Sequence, residues 1–163
     1  KFGKRNHLLD DTNPMIREAE KLILDNYGDP VSSICREERW DGVVCFFEFF
    51  GPNSFAGQHE EEPHEVVLFD VSTKKGILEP RDFLKIFDSV KHAELLHHGN
   101  PNSDFLDAVR NGTLEGMTFE GVVCKGRWMS PGRPMMFKVK NHAWVKKIKE
   151  RYAGDEKLIE QLL

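Results

Sequence analysis

Residues 43–50 read Val-Val-Cys-Phe-Phe-Glu-Phe-Phe, and this stretch is the strongest single indication of the fold class. It is apolar at nearly every position, and it is too short and too rich in branched and aromatic side chains for a helix. Gly51-Pro52-Asn53 closes it with turn-forming residues. Residues 66–71 repeat the pattern after an acidic loop. The two stretches predict two buried strands.

Helical patterns and two further strands surround them. Asn13-Pro14, followed by apolar residues at three-to-four spacing, predicts a helix that ends near Tyr27-Gly28. Three further helices are predicted, one from Pro80, one from a Ser103 cap to Asn111-Gly112, and one around Trp144 and Ile148. Two further strands are predicted at Gly121 to Lys125 and at Met136 to Lys140. Regular βαβ units and a glycine-rich phosphate loop are missing from this order. We therefore expect an α+β fold with antiparallel sheets and flanking helices.

The composition indicates one globular domain over residues 1–163, with 39% hydrophobic and 31% charged residues. No stretch approaches the roughly 20 apolar residues of a membrane span, and the N-terminus lacks the apolar core of a signal peptide. We therefore expect an intracellular, cytoplasmic protein with no membrane partner. Three cysteines without a CxxC pair predict reduced, mostly buried thiols.

The charge is uneven along the chain. The formal net charge is -4, yet residues 125–151 contain nine Lys or Arg and one acid, Glu150. A basic segment on an acidic body indicates binding to phosphate or nucleic acid, although a solvated helix face is the alternative.

Several charges stand in or beside apolar strands, where a buried charge is costly unless it is paired or holds a ligand. Glu48 interrupts a run of phenylalanines, and Glu120 begins Glu-Gly-Val-Val-Cys-Lys. Strand alternation puts Lys138 and Lys140 on one face, where two ammonium groups are unfavourable without an anion between them. A phosphate is one such anion. The alternatives are a structural ion pair for each glutamate and an exposed strand face for the lysines.

Five short motifs, in order, resemble the later nucleotidyltransferase motifs of ATP-dependent RNA ligases. The resemblance covers Phe2 to about Lys149 and implies a nucleotidyltransferase domain, the ATP-grasp-like adenylylation domain of ligases. The motifs are Lys4-Arg5-Asn6, Phe46-Phe47-Glu48-Phe49-Phe50-Gly51, Leu68-Phe69-Asp70-Val71, Glu120-Gly121-Val122-Val123-Cys124-Lys125 and Phe137-Lys138-Val139-Lys140.

The resemblance implies a reaction in three steps, with ATP and Mg²⁺ as cofactors. A lysine attacks the α-phosphate of ATP, AMP passes to a 5′-phosphate, and a 3′-hydroxyl then displaces AMP to seal RNA strand ends or a nicked duplex. The implied roles are ribose binding for Glu48, adenine stacking for Phe69, metal binding and catalysis for Glu120, phosphate stabilisation for Lys138 and Lys140, phosphate contact for Arg5, and nucleotide or strand contact for Lys125.

The family's nucleophilic lysine lies in a K-x-[DHN]-G motif, and this sequence contains none. We expect that the chain is a fragment whose N-terminal part is missing, that the chain alone forms no lysyl adenylate, and that it alone is therefore inactive as an ATP-dependent ligase. Within the enzyme class, a DNA ligase and an mRNA capping nucleotidyltransferase are alternatives. Outside it, the alternative is a nucleotide- or RNA-binding module that lost the nucleophile.

Two other kinds of site are disfavoured by the sequence. His59, His64, His97 and His98 lack a recognised zinc spacing and are expected to be solvated surface residues. A cysteine hydrolase centred on Cys45 or Cys124 would need a partner histidine that the sequence does not identify.

Overall fold

A computed structural model describes residues 1–4, 7–8, 13–52 and 61–162. Its helices and small antiparallel sheets confirm the α+β class. The helices are α1 (Pro14–Glu37), α2 (Pro80–Ile86), α3 (Ser103–Asn111), α4 (His142–Arg151) and α5 (Glu156–Leu162). The strands are β1 (Gly3–Lys4), β2 (His7–Leu8), β3 (Val44–Phe50), β4 (Glu65–Thr73), β5 (Gly76–Ile77), β6 (Gly121–Ser130) and β7 (Arg133–Lys140).

The chain divides into two compact units. Unit 1 contains Lys1–Ala93 and Trp128–Arg133, and unit 2 contains Glu94–Arg127 and Pro134–Leu163. None of the helices in the described ranges is long and apolar enough to cross a bilayer.

Unit 1 is built on a three-stranded sheet of order β3-β4-β5. The pairing of β3 with β4 is antiparallel and shifts register between Phe46 and Phe47. Helix α1 contacts β4, and the Tyr27 hydroxyl donates a hydrogen bond of 2.9 Å to the Val66 carbonyl. The buried core is Tyr27, Ile34, Val66, Leu68, Val71, Phe83, Phe87 and Val90.

Helix α1 is longer than the sequence predicts. It begins as expected, with the Asn13 side chain accepting from the Met15 amide, but it continues through Gly28 and Pro30 to Glu37. Tyr27, Val31 and Ile34 form one apolar stripe on the core, because residues four and seven positions apart share a helix face. Burial of this stripe extends the helix past its two breakers.

Unit 2 contains α3, α4, α5 and most of the β6–β7 pair. Its buried apolar residues are Val109, Val139, Trp144 and Ile148. Both strands are longer than predicted, and α5 was not predicted. The cap of α3 is Asn102, whose side chain accepts from the Phe105 amide, rather than Ser103.

The turn between β6 and β7 belongs to unit 1, where it packs on β5. The Ile77 amide donates to the Gly132 carbonyl at 3.1 Å, and the Trp128 indole donates to the Ile77 carbonyl at 2.8 Å. A Cβ atom on Gly76 would lie 2.4 Å from the Gly132 Cα. The two turns therefore meet backbone to backbone.

Candidate functional site

Unit 2 brings together three of the residues singled out from the sequence. The Glu120 Oε1 atom accepts a hydrogen bond from the Lys140 ammonium and lies 3.9 Å from the Lys138 Nζ atom. Both lysines therefore project from the same face of β7, as strand alternation predicts. One carboxylate between two ammonium groups leaves this cluster with a net positive charge.

Glycine at position 121 allows Glu120 to reach the lysines. Gly121 has a φ of +131°, which favours glycine, and a Cβ atom there would lie 2.1 Å from the Val139 carbonyl oxygen. The close approach puts the start of β6 against the end of β7. The Asn141 amide then donates to the Glu120 carbonyl at 3.0 Å, directly after Lys140. The Glu-Gly order in this motif is therefore a geometric requirement.

The two lysines differ in their surroundings. The side chain of Lys140 is 11% exposed, whereas that of Lys138 is 59% exposed. A hydrogen bond to a charged group contributes about 1.5–3 kcal/mol, and an exposed ion pair about 0–1 kcal/mol. Lys140 is thus held by Glu120, while Lys138 is free to move toward an anion in solvent.

This geometry corresponds to the ion-pair alternative for Glu120. Because the carboxylate already lies between the two ammonium groups, their convergence alone does not require a bound phosphate. Glu120 nevertheless takes only one of the three donors of Lys140 and lies beyond hydrogen-bond distance of Lys138, so the lysines keep donors for a further anion.

Lys140 also contacts the ring of Trp144, a residue that the sequence analysis used only to predict helix α4. Its Nζ atom lies 4.4 Å from the centroid of the Trp144 ring. Trp144 is buried in the first turn of α4, which Asn141 caps by accepting from the Ala143 amide. The sequence pattern that could have indicated this contact is the short connection in residues 140–144, where the strand ends at Lys140, Asn141 caps the helix and Trp144 follows in its first turn.

Glu48 and Phe69 lie in unit 1 on the β3–β4 sheet. Phe47 and Phe49 pack against the core, so Glu48 between them points to the opposite face and is exposed rather than buried. The Phe69 ring lies 6.2 Å from that of Phe46, the neighbour of Phe47. Since Phe46 and Glu48 alternate with core residues, Glu48 and Phe69 share the outer face of this sheet.

The two remaining predicted site residues are Arg5 and Lys125. Arg5 lies outside the described residues. Lys125 is half-buried within β6.

The donor set does not form a metal site made of protein alone. In the described ranges, no three His, Cys, Asp or Glu side chains are grouped to hold an ion. Glu120 offers one carboxylate, which both lysines contact. A Mg²⁺ ion at this carboxylate would take its other ligands from phosphate oxygens and water.

The three cysteines lack the lowered pKa of a catalytic thiol. Burial raises the pKa of Cys45 to about 11 and also raises the pKa values of Cys35 and Cys124, opposite to the activation of a catalytic thiol.

The prediction that His64 is solvated was wrong, because its side chain is 17% exposed. Its ring nitrogens contact Glu18 and the Pro52 carbonyl.

A cavity of about 390 Å³ in unit 1 lies apart from the predicted residues of that unit. Neither Glu48 nor Phe69 lines it. The lining residues are Leu22, Asn26, Tyr27, Pro63, His64, Glu65, Val66 and Lys91. Its polar side chains are engaged in hydrogen bonds or ion pairs within the chain.

Comparison with known proteins identifies no relative. No protein-family model matches this chain, and no curated protein and no solved structure gives a significant match.

Proposed function

We propose that this chain is part of the nucleotidyltransferase domain of an ATP-dependent RNA ligase that joins 5′-phosphate and 3′-hydroxyl RNA ends. The observation that carries the proposal is the convergence of Glu120 with Lys138 and Lys140, which lie 18 and 20 positions later in the sequence. Phosphoryl-transfer sites use such cations to stabilise charge on the reacting phosphate. The ion-pair alternative predicts the same contacts, so the two are separated by experiment.

The nucleoside contacts in this proposal are assigned to Glu48 and Phe69. Glu48 and Phe69 share one sheet face, so a carboxylate that accepts from ribose hydroxyls would stand near a ring that stacks on adenine. ATP is therefore the proposed nucleotide. Mg²⁺ is the proposed cofactor because phosphate oxygens would complete a ligand set begun by Glu120.

Helix α4 supports RNA as the partner. Its exposed cations line the C-terminal part of the basic segment, and a cationic helix binds phosphate backbones without base specificity. The exposed basic residues of this helix are Lys146, Lys147, Lys149 and Arg151.

The decisive assay uses the last step of the reaction, which needs no lysine nucleophile. In that step the 3′-hydroxyl oxygen attacks the 5′-phosphorus of adenylated RNA and loses its proton to water, while the bond from this phosphorus to the AMP oxygen breaks and AMP leaves. We expect the chain to join preadenylated RNA to an RNA 3′-hydroxyl with release of AMP. Labelled ATP should give no covalent adenylate, since the sequence has no K-x-[DHN]-G motif.

Matched variants tie this activity to the cluster. Lys140→Ala and Lys138→Ala should each lower the sealing rate about 100-fold, as loss of one transition-state donor does. Lys157→Ala, which removes an exposed lysine of α5, is the control. If the folded wild-type chain binds ATP or RNA but does not seal, the binding-module alternative replaces the ligase.

The same assay distinguishes the other nucleotidyltransferases. Joining only to a DNA 3′-hydroxyl indicates a DNA ligase. Tight binding of GTP in preference to ATP indicates a capping enzyme.

A further inference from the structure

We propose that Trp144 is a positioning residue that holds the Lys140 ammonium at the site. The inference extends the proposed function, because it assigns the support of a lysine that would act on phosphate. It concerns only residues of unit 2.

The contact has the geometry of a cation–π interaction. The Lys140 Nζ atom lies 4.4 Å from the Trp144 ring centroid, within the roughly 6 Å over which a ring face attracts a cation. Tryptophan is the strongest of the aromatic partners, and both side chains here are largely withdrawn from solvent.

The ring is itself fixed. Trp144 is 3% exposed, and α4 begins two residues before it, at a cap bonded to both neighbouring segments. Asn141 accepts from Ala143, and its own amide donates to the Glu120 carbonyl. The backbone of Glu120, the end of β7 and the first turn of α4 are thereby connected.

An aromatic support suits a lysine that must bind phosphate. A second carboxylate would neutralise the ammonium and occupy another of its donors. A ring face attracts the charge without accepting a conventional hydrogen bond, so two of the three N–H donors stay available after Glu120 has taken one. In contrast to Lys140, Lys138 is 59% exposed and approaches Glu120 only to 3.9 Å. Lys140 is thus the preorganised member of the pair.

The first test measures the position of Lys140 by nuclear magnetic resonance, without any assumption about function. The ring current of Trp144 should move the Lys140 Hε signals upfield, with Lys140→Arg used to assign them. Trp144→Leu should remove this displacement and Trp144→Phe should keep part of it. Ile148→Ala, at a second buried position of α4, controls for loosened packing and should leave the signals in place.

The second test measures sealing of preadenylated RNA. Trp144→Leu should lower kcat about tenfold, corresponding to about 1.4 kcal/mol, with KM for RNA little changed. Trp144→Phe should recover most of the rate. A merely structural role predicts instead that Ile148→Ala has the same effect as Trp144→Leu.

The outcomes are separable. Unchanged Lys140 signals in folded Trp144→Leu overturn the inference, as does equal displacement by Ile148→Ala. If Trp144→Leu fails to fold, fluorinated tryptophan at all three tryptophan positions preserves the ring shape while weakening its attraction for cations, and the same loss of displacement is expected. A wild-type chain that seals nothing refutes the proposed function, and the resonance data still decide the role of Trp144.

Discussion

His64 is held between two acceptors, and this makes part of the stability of unit 1 dependent on pH. Its Nε2 atom donates to the Pro52 carbonyl at 2.8 Å, and its Nδ1 atom lies 2.9 Å from a Glu18 carboxylate oxygen. Both partners accept, so the doubly protonated ring satisfies both contacts. The hydrogen bond to Pro52 and then that to Glu18 raise the pKa of His64 above its ordinary value.

The direction of the pH effect follows from this shift. A raised pKa in the folded state gives a stabilising contribution that is complete below the unfolded value of about 6.5 and is lost as pH rises through the folded value. Urea unfolding between about pH 5.5 and 8.5 should therefore show wild-type stability falling with pH, and His64→Gln should lose that component. His98→Gln, at an exposed histidine, is the control. Parallel curves for wild type and His64→Gln would contradict the assignment.

Substitution by alanine should change the free energy of unfolding in opposite directions at Gly121 and at Gly28. Gly121→Ala should lower the free energy of unfolding by about 2 kcal/mol or more, because the new Cβ meets the Val139 carbonyl and the φ is positive. Gly28→Ala should raise it by about 1 kcal/mol, since nothing lies within 4 Å and alanine favours the helix. Urea midpoints by circular dichroism measure both. Equal effects of the two substitutions would refute the geometry at Gly121.

Helix α1 shows why some boundaries were predicted and others were not. Asn13-Pro14 is a local signal, so its start was predicted correctly. Gly28 made Tyr27-Gly28 the expected end, and Pro30 two residues later costs about 3 kcal/mol inside a helix. Burial contributes about 1.5–3 kcal/mol for each large apolar side chain, and Tyr27 and Ile34 together outweigh that cost. This burial depends on β4, which local sequence does not reveal.

The candidate site was predictable in part for the same reason. Alternation along β7 depends on sequence spacing, so the shared direction of Lys138 and Lys140 was predicted and confirmed. The partner between them is Glu120, and its pairing depends on how β6 meets β7. The exposure of Glu48 depends on which face of β3 packs on the core. An eight-residue apolar run does not identify that face, so the predicted burial of Glu48 was wrong.

The charge distribution of the whole chain predicts how RNA binding responds to salt. The triple variant Lys146→Gln, Lys149→Gln, Arg151→Gln should weaken binding of single-stranded RNA and reduce the magnitude of the slope of log K against log salt by about 2, at roughly 0.7 for each lost phosphate contact. Fluorescence anisotropy over a salt series measures this. The control replaces Lys21, Lys74 and Lys85, three exposed lysines of unit 1, with glutamine. Equal losses in both triples would assign the binding to net charge alone.

The backbone contact between Gly76 and Gly132 constrains how this protein can diverge. The two residues are 56 positions apart, yet a side chain on either would enter space that the other turn occupies. Neither position can gain bulk unless the opposing turn moves away. In a set of descendants, we therefore expect these two sites to stay small together or to change together, as a covarying pair.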